Sequence, residues 1–132
     1  MRARDLRTRV RHLPGIPSVT AAEQWEVRGA HRAGRASPPA LVTTVVPTHG
    51  RQAMVAAAVE SALGQTVEDH VVLVVADGQP APALKAHARL KVVALSRHRG
   101  VPGLVRNVGI RISSSPYLAF LDDDNTWEPN HL

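Results

Sequence analysis

Apolar residues follow two rhythms along this chain, and the alternation between them starts at Leu41. Leu41-Val-Thr-Thr-Val-Val46 is a β-branched run ending at Pro47, which predicts a strand. Over Gln52–Leu63 the apolar residues fall at 54, 55, 58, 59, 62 and 63, the spacing of a helix face, and Gly64 supplies a stop. Val71-Val-Leu-Val-Val75 predicts a second strand, closed by Asp77-Gly78. A short helix is predicted over Pro80–Leu90 and a third strand over Lys91–Leu95. Gly103–Ile112 reads as a helix that turns Leu104, Val105, Val108 and Ile112 inward, and Tyr117–Leu121 as a fourth strand. Trp127–Leu132 reads as the start of another helix.

The predicted strands are continuous apolar runs rather than in-and-out alternations. Such strands are buried on both faces, which is the pattern of a mostly parallel sheet flanked by helices, an α/β fold. Right-handed crossovers would bring the carboxyl ends of all the strands to one edge.

Residues 1–40 break this rhythm. Pro14, Pro17, Pro38 and Pro39 punctuate them, with Gly15, Gly29 and Gly34 between, and apolar periodicity is weak. The segment is expected to be a basic, disordered leader, with short helical pieces around Asp5–His12 and Thr20–Val27. Charge divides at the same place. Residues 1–40 hold eight arginines and three acids, a net +5, whereas 41–132 hold eight Lys/Arg and eight acids, a net charge of zero. The domain boundary is therefore set at 40/41. The sharper reading of the leader is an arginine-rich arm that touches anionic lipid or nucleic acid. No aromatic residues interleave with these arginines in a stacking pattern and no nucleic-acid motif accompanies them, so no specific nucleic-acid partner is expected.

The absence of cysteine excludes disulfides, thiolate metal sites and cysteine nucleophiles, and fits a reducing compartment. No run approaches the roughly 18 apolar residues of a membrane span, and no secretory signal is legible. The expected location is cytoplasmic, with the inner face of the membrane as the place of any peripheral contact.

In an open parallel sheet, ligands bind beyond the carboxyl ends of the strands. The residues there are Pro47, Thr48, His49, Gly50 and Arg51 after strand 1, and Asp77 and Gly78 after strand 2. Ser96, Arg97 and His98 follow strand 3, and Asp122, Asp123 and Asp124 follow strand 4. Four of the eight acids in 41–132 thus meet at one edge. Adjacent aspartates repel one another, and a hard divalent cation such as Mg²⁺ or Mn²⁺, shared with substrate phosphates, relieves that repulsion. The bland alternative, a solvated acidic turn, is disfavoured by the buried strand that precedes it. His49 and His98 have no partner at a defined spacing and read as incidental. The chain carries no G-x-S-x-G, G-x-x-x-x-G-K or H-E-x-x-H motif.

Taken in order, five blocks resemble the family 2 glycosyltransferases. Leu41–Arg51 is similar to that family's opening strand and Pro-Thr-Tyr-Asn-Arg, and Ser61-Ala-Leu-Gly-Gln-Thr66 to its Ser-x-Leu-x-Gln-Thr. Val74-Val-Ala-Asp-Gly78 is similar to its Val-Val-Asp-Asp-Gly, and Arg106-Asn-Val-Gly-Ile110 to its Arg-Asn-x-Gly-Ile. Tyr117–Pro129 resembles its Tyr-x-x-Phe-Leu-Asp-x-Asp-Asp-x-Trp-x-Pro. The resemblance implies a Rossmann-like nucleotide-diphospho-sugar transferase fold, truncated at the C-terminus. It also implies metal-dependent binding of a nucleoside diphosphate sugar, a UDP-sugar first, for transfer of the sugar to an acceptor hydroxyl.

By the same resemblance Pro47 and Thr48 line the nucleobase pocket and Asp77 accepts hydrogen bonds from the base or ribose. Arg106 lies near the diphosphate or braces the acidic loop. Asp122 and Asp123 contact the nucleotide sugar, and Asp124, assisted by Asp122, holds Mg²⁺ or Mn²⁺. The family's catalytic base lies in a second half, so here it is expected beyond Leu132. His49 and Gly50 replace Tyr and Asn of the pattern, and Ala76 replaces the first Asp of the strand-2 pair. A non-catalytic nucleotide-binding remnant, or one subunit of a split enzyme, is the alternative. A phospho-acceptor receiver domain would need an acidic pair after strand 1, where this chain has Pro-Thr-His.

Overall fold

A computed structural model describes residues 17–35 and 37–132. Their elements run in the order α1 (Pro17–Arg32), β1 (Val42–Thr48), α2 (Gln52–Leu63), β2 (His70–Ala76), β3 (Leu90–Ala94), α3 (Pro102–Ile112) and β4 (Tyr117–Phe120). The four strands form one sheet in the order β3-β2-β1-β4, every neighbouring pair parallel. The predicted parallel α/β architecture is therefore the observed one.

Side chains alternate across this sheet, and each face has its own core. Val45, Leu73, Val75 and Val93 turn to the α3 side, where they meet Leu104, Val105, Val108 and Ile112. Val46, Val72 and Val74 turn to the other side, against Val55, Ala58, Val59 and Ala62 of α2. β2 is buried along its whole length, as its unbroken apolar run requires. β4 is an edge strand, as is β3, and Tyr117 and Phe120 on β4 stay exposed.

Gly109 sets how closely α3 approaches the sheet. A Cβ at this position would lie 2.5 Å from one methyl of Val45 and 3.4 Å from Val75. Only a residue without that atom lets the helix settle here, and Arg106, one turn earlier, takes its position from that approach.

Three expectations from the sequence are corrected. The unordered leader does not hold over Pro17–Arg32, which is helical and packs on α3 through Ala22, Val27 and Ala30. Glu23 receives hydrogen bonds from Asn107 (3.2 Å) and Arg111 (3.1 Å) of α3. The helix closes at Gly34, whose φ is 66°; Gly34 N–H donates to His31 C=O and Arg35 N–H to Ala30 C=O, a Schellman ending. The expected helical piece Thr20–Val27 falls inside this helix, while Asp5–His12 lies outside the described residues.

Second, Pro80–Leu90 is not helical: residues 80–89 are irregular and Leu90 opens β3. Pro82 disfavours the helical conformation at Ala81, and the side-chain amide of Gln52 takes the backbone pair of Ala83, accepting at 2.9 Å and donating at 2.7 Å. Third, Trp127–Leu132 forms no helix, because its backbone is bonded back onto the end of α2. Ser61 Oγ accepts from Trp127 N–H (3.1 Å), Gln65 Nε2 donates to Glu128 C=O (2.7 Å), and Gln65 Oε1 accepts from Leu132 N–H (3.0 Å). The Ser61–Thr66 block is thus a clasp for the segment that follows the aspartates.

No helix among the described residues is long and apolar enough to cross a membrane.

Candidate functional site

The chain leaves β1 toward β2 and β3 on one side and returns to place β4 on the other. β1 and β4 therefore flank the topological switch point, where an open α/β sheet has its crevice. A cleft of about 480 Å³ opens there. The ends of β1, β2, β3 and β4 and the first turns of α3 all contribute to its walls. It collects every site residue expected from the sequence: Pro47, Thr48, Asp77, Arg106, Asp122, Asp123 and Asp124.

The three consecutive aspartates do not converge on one point. Asp122 receives Arg106 Nη2 at 2.7 Å. Asp123 is buried, and it accepts the Thr48 hydroxyl at 2.8 Å and Arg51 Nη1 at 3.4 Å. Asp124 meets the same Arg51 nitrogen at 3.3 Å. Arginines from α3 and from the loop after β1 thus counter the repulsion of the acidic run. Thr48 lines the cleft with its hydroxyl engaged by Asp123, and Arg106 reaches the acidic loop at Asp122.

Asp122 and Asp124 keep 53% and 49% of their side-chain surface exposed. They offer hard oxygen donors beside a cleft with room for a ligand. That donor chemistry fits Mg²⁺ or Mn²⁺, which characteristically use one or two carboxylates and complete their shell with water and phosphate.

Asp77 is buried, and its carboxylate is heavily used. Oδ1 accepts the Arg99 N–H at 2.7 Å and Oδ2 accepts the Gly100 N–H at 3.0 Å, while His98 Nδ1 lies 3.0 Å from Oδ2 and donates to the Asp77 carbonyl at 3.3 Å. A carboxylate has about four lone-pair sites, so acceptor capacity remains for a ligand. His49 Nδ1–H donates to the Asp77 carbonyl at 3.0 Å, and the His49 and His98 rings stack at 4.0 Å. The two histidines are therefore not incidental: both fold over Asp77. Ligand atoms of His49, Asp77 and His98 lie within 4.8 Å of one another. The in-plane lone pairs of two rings only 23° from parallel do not converge on one ion, however, so the trio is a hydrogen-bonded brace.

Gly78 completes the corner with φ at 106°, and a Cβ there would lie 2.8 Å from the His98 backbone nitrogen. Sequence reasoning placed Arg51 among the strand-end residues but gave it no role. It missed Glu26, which reaches the same corner from α1. A spacing pattern confined to 41–132 contains no signal for such a contact.

The family model described as Glycosyl transferase family 2 matches residues 43–132. The succinoglycan biosynthesis protein ExoO of Rhizobium meliloti (strain 1021) is 38% identical over 106 residues, covering 73% of this chain and 30% of that protein. The chain spans about a third of the length of the first curated relatives it matches, 32% and 30%. Among solved structures, S. aureus TarS 1-349 in complex with UDP superposes with a TM-score of 0.56 at 22% identity, over 67% of this chain and 29% of that one. The mannosyltransferase PcManGT from Pyrobaculum calidifontis, in complex with GDP-Man and Mn²⁺, gives 0.54 at 17% identity, over 83% and 37%. At these identities the two structures establish the fold.

Proposed function

We propose that this chain, which belongs to glycosyl transferase family 2, binds a nucleoside diphosphate sugar, a UDP-sugar first, as the donor for transfer to an acceptor hydroxyl. One observation carries the reading: carboxylates and cations from separate strand ends converge on a single cleft at the switch point of a parallel sheet. UDP in TarS and GDP-Man with Mn²⁺ in the mannosyltransferase support the ligand class.

In this reading the base sits between Pro47 and Asp77, whose remaining acceptor capacity serves a ring N–H. Asp122 accepts from a ribose hydroxyl. Asp123, fixed by Thr48 and Arg51, anchors the loop from beneath. Asp124, with Asp122, would hold Mg²⁺ or Mn²⁺, which when bound neutralises charge on the departing diphosphate. Arg51 and Arg106 already reach these carboxylates, and their guanidinium groups can turn to phosphate oxygens, which they match in geometry. In transfer, the bond from the sugar's anomeric carbon to the diphosphate breaks, one to the acceptor oxygen forms, and the acceptor's proton passes to a general base expected outside the cleft residues.

Titration calorimetry with UDP, with and without Mn²⁺, tests the proposal. Binding that tightens with Mn²⁺ is expected. Equal affinity in both conditions would remove the metal from the reading. A cooperatively folded sample that binds UDP in neither condition would overturn the donor site itself.

A further inference from the structure

We infer that Glu26, on α1 and outside the stretch matched by the family model, is a positioning residue for Asp77. Glu26 is only 5% exposed although it is a carboxylate. It accepts from the Ser96 N–H at 2.8 Å, from the Ser96 hydroxyl, and from Arg99 Nε and Nη2 at 3.1 and 2.6 Å. These partners all lie on the loop that follows β3. A buried carboxylate satisfied by one short loop fixes that loop, because any shift would leave a charge unpaired in a place water does not reach.

The same loop grips Asp77. Arg99 is held at both ends: its guanidinium binds Glu26, and its backbone N–H binds Asp77 Oδ1. Gly100 N–H holds Oδ2, and His98 Nδ1 donates to the Asp77 carbonyl. No slack separates the two corners, since the Gly78 and His98 backbones are close enough to exclude a Cβ. A displacement of residues 96–100 therefore passes directly to the Asp77 carboxylate. The polar path runs from Glu26 through Ser96 and Arg99 to the Arg99 and Gly100 amides, and from those to Asp77. Helix α1 acts on the cleft through this path without lining it.

The consequence for ligand binding rests on the reading of Asp77 as a donor-site residue, but the positioning does not. The test uses the full chain and the variants Glu26→Gln, Asp77→Asn and the pair together. Backbone amide resonances of Arg99 and Gly100 are recorded without ligand, and UDP affinity with Mn²⁺ is measured on the same samples.

Glu26→Gln is expected to move both amide resonances and to weaken UDP roughly tenfold, while adding nothing in the Asp77→Asn background. Unmoved amides in a folded Glu26→Gln protein would overturn the inference, even if its melting temperature falls, because Glu26 would then be a structural ion pair alone. Ser96→Ala removes one of the four hydrogen bonds and is expected to move the same amides by less, which keeps the measurement open if Glu26→Gln folds poorly. A wild-type protein that fails to bind UDP would remove the donor-site reading, and the amide shifts would still decide whether Glu26 sets Asp77.

Discussion

The hydroxyl of Thr48 donates to the carboxylate of Asp123 at 2.8 Å, joining residues 75 apart in sequence. The bond crosses the switch point from the end of β1 to the loop after β4. Asp123 keeps 10% of its side-chain surface exposed, and its other contact, to Arg51, is longer at 3.4 Å. Thr48→Val keeps the shape and removes the donor. It is expected to cost about 1–3 kcal/mol in urea unfolding, the penalty of a buried acceptor left short of a partner. Thr48→Ser should retain most of that stability. Equal stability of the valine variant and the wild type would show that Arg51 alone holds Asp123.

Asp124 is half exposed, so its loss should not disturb folding. Asp124→Asn is expected to keep the wild-type melting temperature and the metal-free UDP affinity. The tightening by Mn²⁺ is expected to vanish. Calorimetry with and without metal reads both quantities, and a variant that still responds to Mn²⁺ would move the metal to other donors.

Gly109→Ala places a methyl 2.5 Å from a Val45 methyl. Overpacking of this kind typically costs about 1–3 kcal/mol. Thermal melts should show the loss, and Val45→Ala in the same chain should return part of it by vacating the space. The single variant is also expected to withdraw Arg106 from Asp122, because both contacts depend on how closely α3 lies on the sheet.

His70 gives the fold a pH dependence. Its Nε2 meets Thr44 Oγ1 at 2.7 Å, and its buried Nδ1 has no partner among the described residues. Burial, helped by the nearby Arg89 charge, holds its pKa below the ordinary value of 6.5. The folded protein therefore refuses a proton that the unfolded chain accepts below pH 6.5, and stability falls as pH drops through that window. Above it the contribution is fully present. Urea unfolding from pH 8 downward should show the decline. Replacing the pair together, His70→Phe with Thr44→Val, should flatten it relative to the wild type.

The sheet was legible because β1 and β2 are buried on both faces and their apolar runs state that directly. The strand-end residues followed from topology, and Asp77 and Asp122–Asp124 do line one cleft. Helix α1 was legible only in part, over Thr20–Val27, for a physical reason: it packs through Ala22, Val27, Ala30 and a buried Glu26 rather than a broad apolar stripe, so its apolar periodicity is weak. Pro80–Leu90 misled in the opposite sense, since its alanines favour a helix while Pro82 restricts Ala81 and Gln52 holds the backbone of Ala83 in another conformation. Contacts such as Thr48 to Asp123 or Glu26 to Arg99 join distant residues whose types alone do not announce a partner.

The clasp at Gln65 has a thermodynamic meaning for the aspartates it never touches. Residues 122–126 form an arc tied at one end by the Leu121 N–H on the Val45 carbonyl and at the other by the Trp127 N–H on Ser61. Gln65 secures the chain just beyond. Fixing one residue's backbone costs about 1–2 kcal/mol in entropy, and here folding rather than ligand capture bears that cost. Gln65→Ala should return the freedom. UDP would then bind the variant with nearly the same enthalpy and a more adverse entropy, which temperature-resolved calorimetry separates. The carboxylates themselves would be unchanged, and the lost affinity would come entirely from the disorder they must now give up.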